Sequence, residues 1–268
     1  MSALDLTTKQ RLHLGLHGLM ARLGLDGLKP LRITAEGEGF RLHLVDGSRL
    51  VPSALLWRSY RRGWAARLDR LTQEFGLDQA APFAPDEAVI DVGANVGDFT
   101  AAAIRAGAGR VLAVEGDPKV AACLKANLAG AAGLSVETAI LWKAEEVVTF
   151  HSAPGRADSS IFLPPGDGVV AFQAQARTLD RVAADHGIGR VGLFKMDAEG
   201  AEPEVLQGAT EVLARTRMVA IDTGPERNGA RTDAACIEIL TAAGFTIIDP
   251  GHSRRMITMA NRAVVKGI

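Results

Sequence analysis

The chain has 268 residues and a formal net charge of −1, with 47% hydrophobic and 23% charged residues. This balance is typical of a folded globular protein, and it excludes a fibrous repeat and a largely disordered chain. The length allows one large domain with an elaboration, and we expect a single catalytic domain.

The charge is divided unequally along the chain. Residues 1–85 carry 12 Lys and Arg against 8 Asp and Glu, whereas residues 86–268 carry 18 against 23. Proteins that bind nucleic acid through its phosphates concentrate many basic residues on one face. We therefore expect no nucleic-acid partner, and the small basic excess indicates only a surface for an acidic substrate.

The two cysteines and the N-terminal residues indicate in which cellular compartment the protein is expected. Cys123 and Cys236 have no C-x-x-C partner, so the sequence predicts neither a disulfide framework nor a cysteine zinc site. The first residues lack the basic and apolar regions of a signal peptide, and no stretch of about 18 apolar residues occurs. We expect a cytoplasmic protein without a membrane span.

The first 85 residues predict an accessory region on the substrate side. Its pattern indicates a leucine-rich helix at about 7–24, a hairpin at about 31–51 with Asp46-Gly47 as its turn, and a helix at about 53–75. The leucines leave a homodimer open. Two prolines in the run Ala80–Asp86 disfavour a continuing helix, so we divide the chain into residues 1–85 and 86–268.

From residue 86 on, short apolar runs alternate with helical segments, which is typical of βαβ units. We predict an α/β fold with a doubly wound, mostly parallel, Rossmann-like sheet of seven strands: 88–92, 111–114, 134–139, 191–196, 218–221, 245–248 and 256–259. Helices are expected to begin near Asp117-Pro118, Pro203 and Asp233. Residues 146–177 interrupt the alternation and predict two antiparallel strands near the ligand.

The segment Val89–Thr100 is the most informative one. Asp91 ends a strand, and Gly93, Asn95 and Gly97 lie in the following turn, where glycine lets the backbone approach a ligand. A carboxylate here suits the ammonium of an amino-acid moiety, whereas a pyrophosphate prefers bare amides. The G-x-G-x-x-G spacing of dinucleotide-binding proteins is absent. The segment therefore favours S-adenosylmethionine over NAD.

The next strand ends at Glu115, where an acid can accept hydrogen bonds from both hydroxyls of a ribose. Glycine turns and capping acids also occur in parallel sheets that bind no such ligand. The prediction of a cofactor site therefore depends on Asp91 and Glu115 together.

Four ordered motifs resemble those of the FkbM methyltransferase family: Asp91–Thr100 with Glu115, Ala176–Asp180, Lys195–Glu202 and Leu206–Ala209. The resemblance spans residues 88–222. It implies a class I methyltransferase fold, S-adenosylmethionine as the donor, and transfer to a hydroxyl oxygen, often on a sugar, polyketide or other secondary metabolite. Residues 157–161 are similar to a serine-containing segment beside the cofactor, which implies a contact from Ser159.

Lys195, Asp197 and Glu199 alternate at the end of the fourth strand, so their side chains can face the methyl group together. We expect Asp197 to accept or orient the acceptor's proton, and Glu199 to fix the acceptor or help hold a divalent ion. Mg²⁺ is compatible with such oxygen ligands but is not required by them. In the alternative interpretation, the acids favour the next helix N-terminus and Lys195 only pairs with a carboxylate.

The leading hypothesis is an O-methyltransferase that acts on a small-molecule or glycan hydroxyl. A second is an RNA ribose methyltransferase, suggested by the aromatic and arginine residues between Trp57 and Trp64. A third is a noncatalytic subunit that retains the cofactor fold. Turnover of labelled methyl groups separates the third from the other two.

Overall fold

The computed structural model describes residues 6–153, 155, 158–163, 168–227, 229–249 and 255–265. The N-terminal region begins with a helix, continues through a small antiparallel sheet, and ends with further helical segments. Its elements are α1 (Thr8–Arg22), β1 (Arg32–Glu36), β2 (Gly39–Leu44), β3 (Gly47–Val51), a 3₁₀ helix (Ala54–Tyr60), α2 (Trp64–Glu74) and α3 (Leu77–Ala80). Among the residues described, no helix is both long and apolar enough to cross a membrane.

Two predictions for this region were incomplete. The predicted hairpin is a three-stranded meander, and the predicted helix at 53–75 is broken at Gly63, which has φ +92°. Asp46 does more than form a turn, because its carboxylate accepts hydrogen bonds from the Trp64 and Ala65 amides at 2.9 and 2.8 Å. This side chain supplies acceptors for the amides at the start of α2, which Gly63 cannot do.

The remaining elements are β4 (Glu87–Val92), α4 (Asp98–Arg105), β5 (Val111–Glu115), α5 (Pro118–Asn127), β6 (Leu134–Thr138), β7 (Val147–Ser152), β8 (Val170–Gln175), α6 (Leu179–Asp185), β9 (Arg190–Met196), α7 (Glu202–Gln207), α8 (Thr210–Ala214), β10 (Thr216–Asp222), α9 (Asp233–Ala242), β11 (Phe245–Asp249), β12 (Met256–Asn261) and α10 (Arg262–Val265). All seven strands predicted for the large sheet are present. The antiparallel pair predicted within 146–177 is β7 and β8.

The large sheet has the order β6-β5-β4-β9-β10-β12-β11, in which β12 alone runs antiparallel to its neighbours. Numbered along the chain, this order is 3-2-1-4-5-7-6. The chain builds outward from β4 on one side and then from β9 on the other. Because the connections diverge between these two central strands, a crevice opens at their carboxyl ends.

Both faces of the sheet are covered. Ile90 and Phe194 belong to the core on one face, whereas Val89 and Leu193 belong to the core on the other. Strands that are buried on both faces read as continuous apolar runs, which explains why the sequence predicted them well. The N-terminal region shares the second core, since Phe75 of its last turns packs edge-on against Phe99 of α4.

The helix predicted after Pro203 is two short helices. Gly208 separates α7 from α8, and a Cβ atom at this position would lie 2.4 Å from the Trp142 carbonyl oxygen. The two backbones touch here, which admits only glycine. The apolar residues on both sides of Gly208 are buried, because both helices face the same core.

Candidate active site

A cleft opens at the carboxyl ends of β4, β5 and β9. Its wall includes three of the predicted cofactor residues, at the end of the first two strands or just after it, and all three predicted catalytic residues, at the end of the third or just after it. The residues that the sequence singled out and that line it are Gly93, Asn95, Glu115, Ser159, Lys195, Asp197 and Glu199. Asp91 and Gly97 lie behind this wall. The fold thus gathers residues that are up to 106 positions apart in the chain.

The turn after β4 is pressed against the turn after β9. Gly93 has φ +68°, and a Cβ atom on it would lie 1.8 Å from the Asp197 carbonyl oxygen. The Asp197 amide donates to the Val92 carbonyl at 3.1 Å, which fixes the contact. Only glycine satisfies both the left-handed backbone and the close approach.

The other two residues of the turn have different surroundings. Asn95 also has a positive φ, +52°, and its side-chain oxygen accepts from the Val96 amide at 2.7 Å. Gly97 precedes α4, and a Cβ atom there would lie 2.9 Å from Leu128. Gly97 therefore permits helix packing under the cleft.

Asp91 is fully buried beneath the cleft and has two protein partners. It accepts a hydrogen bond from the Thr100 hydroxyl at 2.6 Å, and the Lys195 ammonium lies 3.0 Å from its other oxygen. The same ammonium donates to the Val92 and Gly93 carbonyls at 3.0 and 2.8 Å. Lys195 therefore ties β9 to the end of β4 and holds the glycine turn in place.

Glu115 presents its carboxylate to the cleft at the end of β5. One oxygen accepts from the Asn95 amide at 2.8 Å and the other from the Asp117 amide at 2.9 Å. Burial raises the pKa of Glu115 to about 7. The hydrogen bonds from the two amides oppose this shift, because they stabilise the charged carboxylate. Each carboxylate oxygen retains acceptor capacity, so this desolvated group is suited to hydroxyl donors.

Asp197 and Glu199 are partly exposed on the opposite wall. Burial raises the pKa of Asp197, with Lys195 opposing this shift and Asp222 reinforcing it. Burial also raises the pKa of Glu199, and the like charge of the Asp197 carboxylate raises it more. The shift is therefore larger for Glu199 than for Asp197. The pair therefore favours one ionised and one protonated carboxyl near neutral pH.

The loop that carries Glu199 is held from two sides. Glu199 has φ +50°, and its carbonyl accepts a hydrogen bond from the Ser160 hydroxyl at 2.8 Å. Glu202 accepts from the Ala198 and Gly200 amides at 3.1 and 3.0 Å, which closes the turn before α7.

Ser159 reaches the cleft from the loop between β7 and β8. Its hydroxyl donates to the Asp117 carboxylate at 2.9 Å and accepts from the Ala153 amide at 2.8 Å. Asp117 also caps α5 and accepts from the Ser152 hydroxyl at 2.5 Å. The sequence indicated only the cap, whereas the structure shows that Asp117 also anchors the β7–β8 elaboration.

Arg67 and Asp98 were missed as functional candidates, and Tyr60 was considered only within the stretch from Trp57 to Trp64. Tyr60 donates its hydroxyl to the Asp98 carboxylate at 2.8 Å, and the Arg67 guanidinium donates to the same oxygen at 3.3 Å. All three line the cleft. Asp98 lies within the glycine-turn motif and was a visible signal, but its partners on the N-terminal region could not be found from sequence spacing.

A metal centre has no ligand set in the described part of the chain. There, no group of three or more His, Cys, Asp or Glu side chains has an arrangement that could hold an ion. The described residues therefore provide no ligand set for the Mg²⁺ that the sequence left open.

The fold and the cleft define a class I methyltransferase of the S-adenosylmethionine-dependent type. A family model described as the methyltransferase FkbM domain matches residues 91–247, more than half of the chain. The chain belongs to the FkbM family, as its motifs predicted. The matched span contains the carboxylates of both cleft walls.

Known proteins show partial similarity. The antimetabolite synthetase AmbE of Pseudomonas aeruginosa is 30% identical over 205 residues, a match that covers 61% of this chain and 10% of that protein. The chain thus spans about a tenth of the length of this curated relative.

Solved structures are similar at lower identity. The Methanococcus jannaschii fibrillarin pre-rRNA processing protein is 16% identical with a TM-score of 0.43, covering 87% of this chain and 98% of that one. The N-terminal domain of EvdMO1 with S-adenosylhomocysteine bound is 12% identical with a TM-score of 0.43, covering 78% and 85%.

Proposed function

We propose that the chain transfers a methyl group from S-adenosylmethionine to a hydroxyl oxygen of a small molecule, sugar or secondary metabolite. One observation carries this proposal. A desolvated acid, Glu115, lies on one wall of the cleft, and a coupled pair of acids, Asp197 and Glu199, lies on the other. The first suits the donor and the second suits an acceptor with a proton to lose.

The donor side fits S-adenosylmethionine by its chemistry. Glu115 would accept the ribose hydroxyls, and the turn at Gly93 and Asn95 would let the backbone approach the methionine portion. When bound, the cofactor supplies an electrophilic methyl carbon. Asp91 was predicted to meet the ammonium directly, but its pairing with Lys195 and Thr100 favours a supporting role beneath the turn.

The acceptor side favours oxygen chemistry. A hydroxyl must give up its proton as the new carbon–oxygen bond forms, and general-base help is typically worth about 10²- to 10⁴-fold. No described residue donates a hydrogen bond to the Asp197 carboxylate, which leaves it available to the acceptor. The protonated Glu199 would donate a hydrogen bond to the acceptor, and Lys195 would position both strands.

The partial relative supports a metabolite acceptor. AmbE is named as an antimetabolite synthetase, and that activity belongs to a protein about ten times longer than the matched segment. That name supports only a small-molecule setting for the acceptor.

A methyl-transfer screen tests the proposal. The protein is incubated with methyl-labelled S-adenosylmethionine and a panel of hydroxylated metabolites and glycans, each paired with its amine analogue. We expect label on oxygen in at least one hydroxyl member and none on its amine partner. Label transferred to nitrogen alone would contradict the proposed oxygen specificity.

A further inference from the structure

A second cavity adjoins the cleft on the N-terminal side. We name it the arginine cleft, because five arginines line it: Arg58, Arg61, Arg62, Arg67 and Arg70. The acidic residue in its wall is Asp26. So many guanidinium groups around one cavity give a strongly positive local field in a chain whose net charge is −1.

Most of this positive charge is not neutralised by the protein. Arg67 pairs with Asp98 at 3.3 Å, and Arg70 pairs with Glu74 at 3.4 Å. Arg58, Arg61 and Arg62 are exposed. Within the described part of the chain, no carboxylate lies within 4.0 Å of these three guanidinium groups.

Buried polar atoms of the wall also lack partners. Trp57 is 3% exposed, and its indole N–H has no acceptor among the described residues. His17 is 4% exposed and packs on Trp57 with ring centroids 5.1 Å apart. Its Nε2 donates to the Lys29 carbonyl at 2.9 Å, while Nδ1 has no described partner. The buried Trp57 N–H is costly without an acceptor, whereas Nδ1 of His17, with the proton on Nε2, is itself an acceptor and not a donor to a phosphate.

The arginine cleft shares part of its wall with the donor cleft, which is the cleft at the carboxyl ends of β4, β5 and β9 that contains Glu115. Ser59 and Arg67 line both cavities, and Arg67 is held in place by the Asp98 carboxylate beside the glycine turn. A molecule with an anionic group in the arginine cleft can therefore extend its remainder past Arg67 toward Asp197. This places the anion and the reacting hydroxyl at opposite ends of one acceptor.

We propose that the arginine cleft binds a phosphate group of the methyl acceptor, so that the acceptor is a phosphorylated small molecule. This inference rests on the proposed function, which it deepens. Guanidinium groups match phosphate oxygens with paired hydrogen bonds, and planar guanidinium is preferred for such recognition. The five arginines line a single cavity, which favours one phosphate group over the long phosphate backbone of an RNA, which needs an extended basic face.

Calorimetry with phenyl phosphate and inorganic phosphate tests the site without the true acceptor. Wild-type protein is compared with the triple variant Arg58→Gln, Arg61→Gln, Arg62→Gln. We expect both probes to bind the wild type and to bind the triple variant at least about tenfold more weakly, since charge-assisted hydrogen bonds are lost. The control Arg32→Gln, Lys119→Gln, Lys143→Gln removes the same charge from exposed residues outside both cavities and is expected to bind like the wild type.

The outcomes separate this inference from the proposed function. S-adenosylhomocysteine binding should be equal in all three proteins, because the substituted residues do not line the donor cleft. If none of the three proteins binds S-adenosylhomocysteine, the proposed function is contradicted, whereas the phosphate-binding result is unaffected. Equal phosphate affinity in the triple variant and the wild type, or no phosphate binding by either, would overturn the inference. Tighter, salt-sensitive binding of a single-stranded RNA than of phenyl phosphate would overturn the small-molecule acceptor.

Discussion

At the scale of the residue, the state of Glu115 sets a pH dependence for donor binding. Burial raises its pKa to about 7 in the free protein. Ribose hydroxyls that donate to the carboxylate stabilise its charged form, so binding lowers this pKa and releases a proton. The affinity for S-adenosylhomocysteine should therefore fall as pH decreases below about 7, by at most about tenfold per unit.

Titration calorimetry at pH 8 and pH 6 measures this effect. The variant Glu115→Gln is the matched control, because it keeps the size of the side chain but cannot titrate. We expect it to bind more weakly by about 1–3 kcal/mol at pH 8 and to show a smaller pH dependence. Equal pH dependence in both proteins would exclude Glu115 from the donor site.

Asp197 should affect turnover far more than cofactor affinity. The variant Asp197→Asn keeps the shape of the side chain but loses the basic carboxylate, so we expect turnover to fall by about 10²- to 10⁴-fold. Its affinity for S-adenosylhomocysteine should change little. Steady-state kinetics with the acceptor found in the screen provide the measurement, with the exposed Glu211→Gln as control. Turnover near the wild-type value would refute the assignment, and a loss of thermal stability would indicate a structural role.

At the scale of the element, the site depends on the contact between two turns. Gly93→Ala would place a Cβ atom 1.8 Å from the Asp197 carbonyl, so one turn must move. We expect a loss of about 1–3 kcal/mol in the free energy of unfolding, together with loss of donor binding. Gly107→Ala is the control, because Gly107 also has positive φ, +93°, but no atom near its Cβ position. Thermal unfolding of both variants separates contact from backbone strain, and equal effects would contradict this reasoning.

Tyr60 makes one of the contacts that join the N-terminal region to α4. Its hydroxyl is buried and donates to Asp98 at 2.8 Å, and burial raises its pKa well above the ordinary value. Tyr60→Phe should lower the free energy of unfolding by about 1–2 kcal/mol, since a buried carboxylate loses a donor. Arg105→Gln, which removes an exposed ion pair with Asp69, should change it little. Urea denaturation compares them, and an unchanged midpoint for Tyr60→Phe would contradict a stabilising role of this contact.

The elements also show why sequence patterns succeed and fail. The central strands β4, β5, β9 and β10 were predicted because burial on both faces leaves continuous apolar runs, and the Asp117-Pro118 helix start follows from local chemistry. The break at Gly208 could not be predicted, because it is set by contact with the Trp142 backbone far along the chain. The Tyr60–Asp98 contact was missed for the same reason.

At the scale of the whole molecule, the two proposals assign the methyl donor and the reacting hydroxyl to one cavity and the phosphate of the acceptor to the other. The carboxylates of the donor cleft were found from their positions at strand ends, where any parallel sheet gathers side chains. The pairing of Asp91 with Lys195 was weighed in advance only as an alternative, because spacing along the chain does not reveal which buried charges meet. The arginine cleft required the packing of α1 against the 3₁₀ helix, which no periodicity indicates.

Donor selectivity tests the central claim most directly. Calorimetry on the wild-type chain should detect binding of S-adenosylmethionine and S-adenosylhomocysteine, and no binding of NAD under the same conditions. The cleft has an acid for the ribose and a glycine turn, but it lacks the G-x-G-x-x-G turn that holds a pyrophosphate. Binding of NAD, with neither methionine derivative bound, would contradict the account.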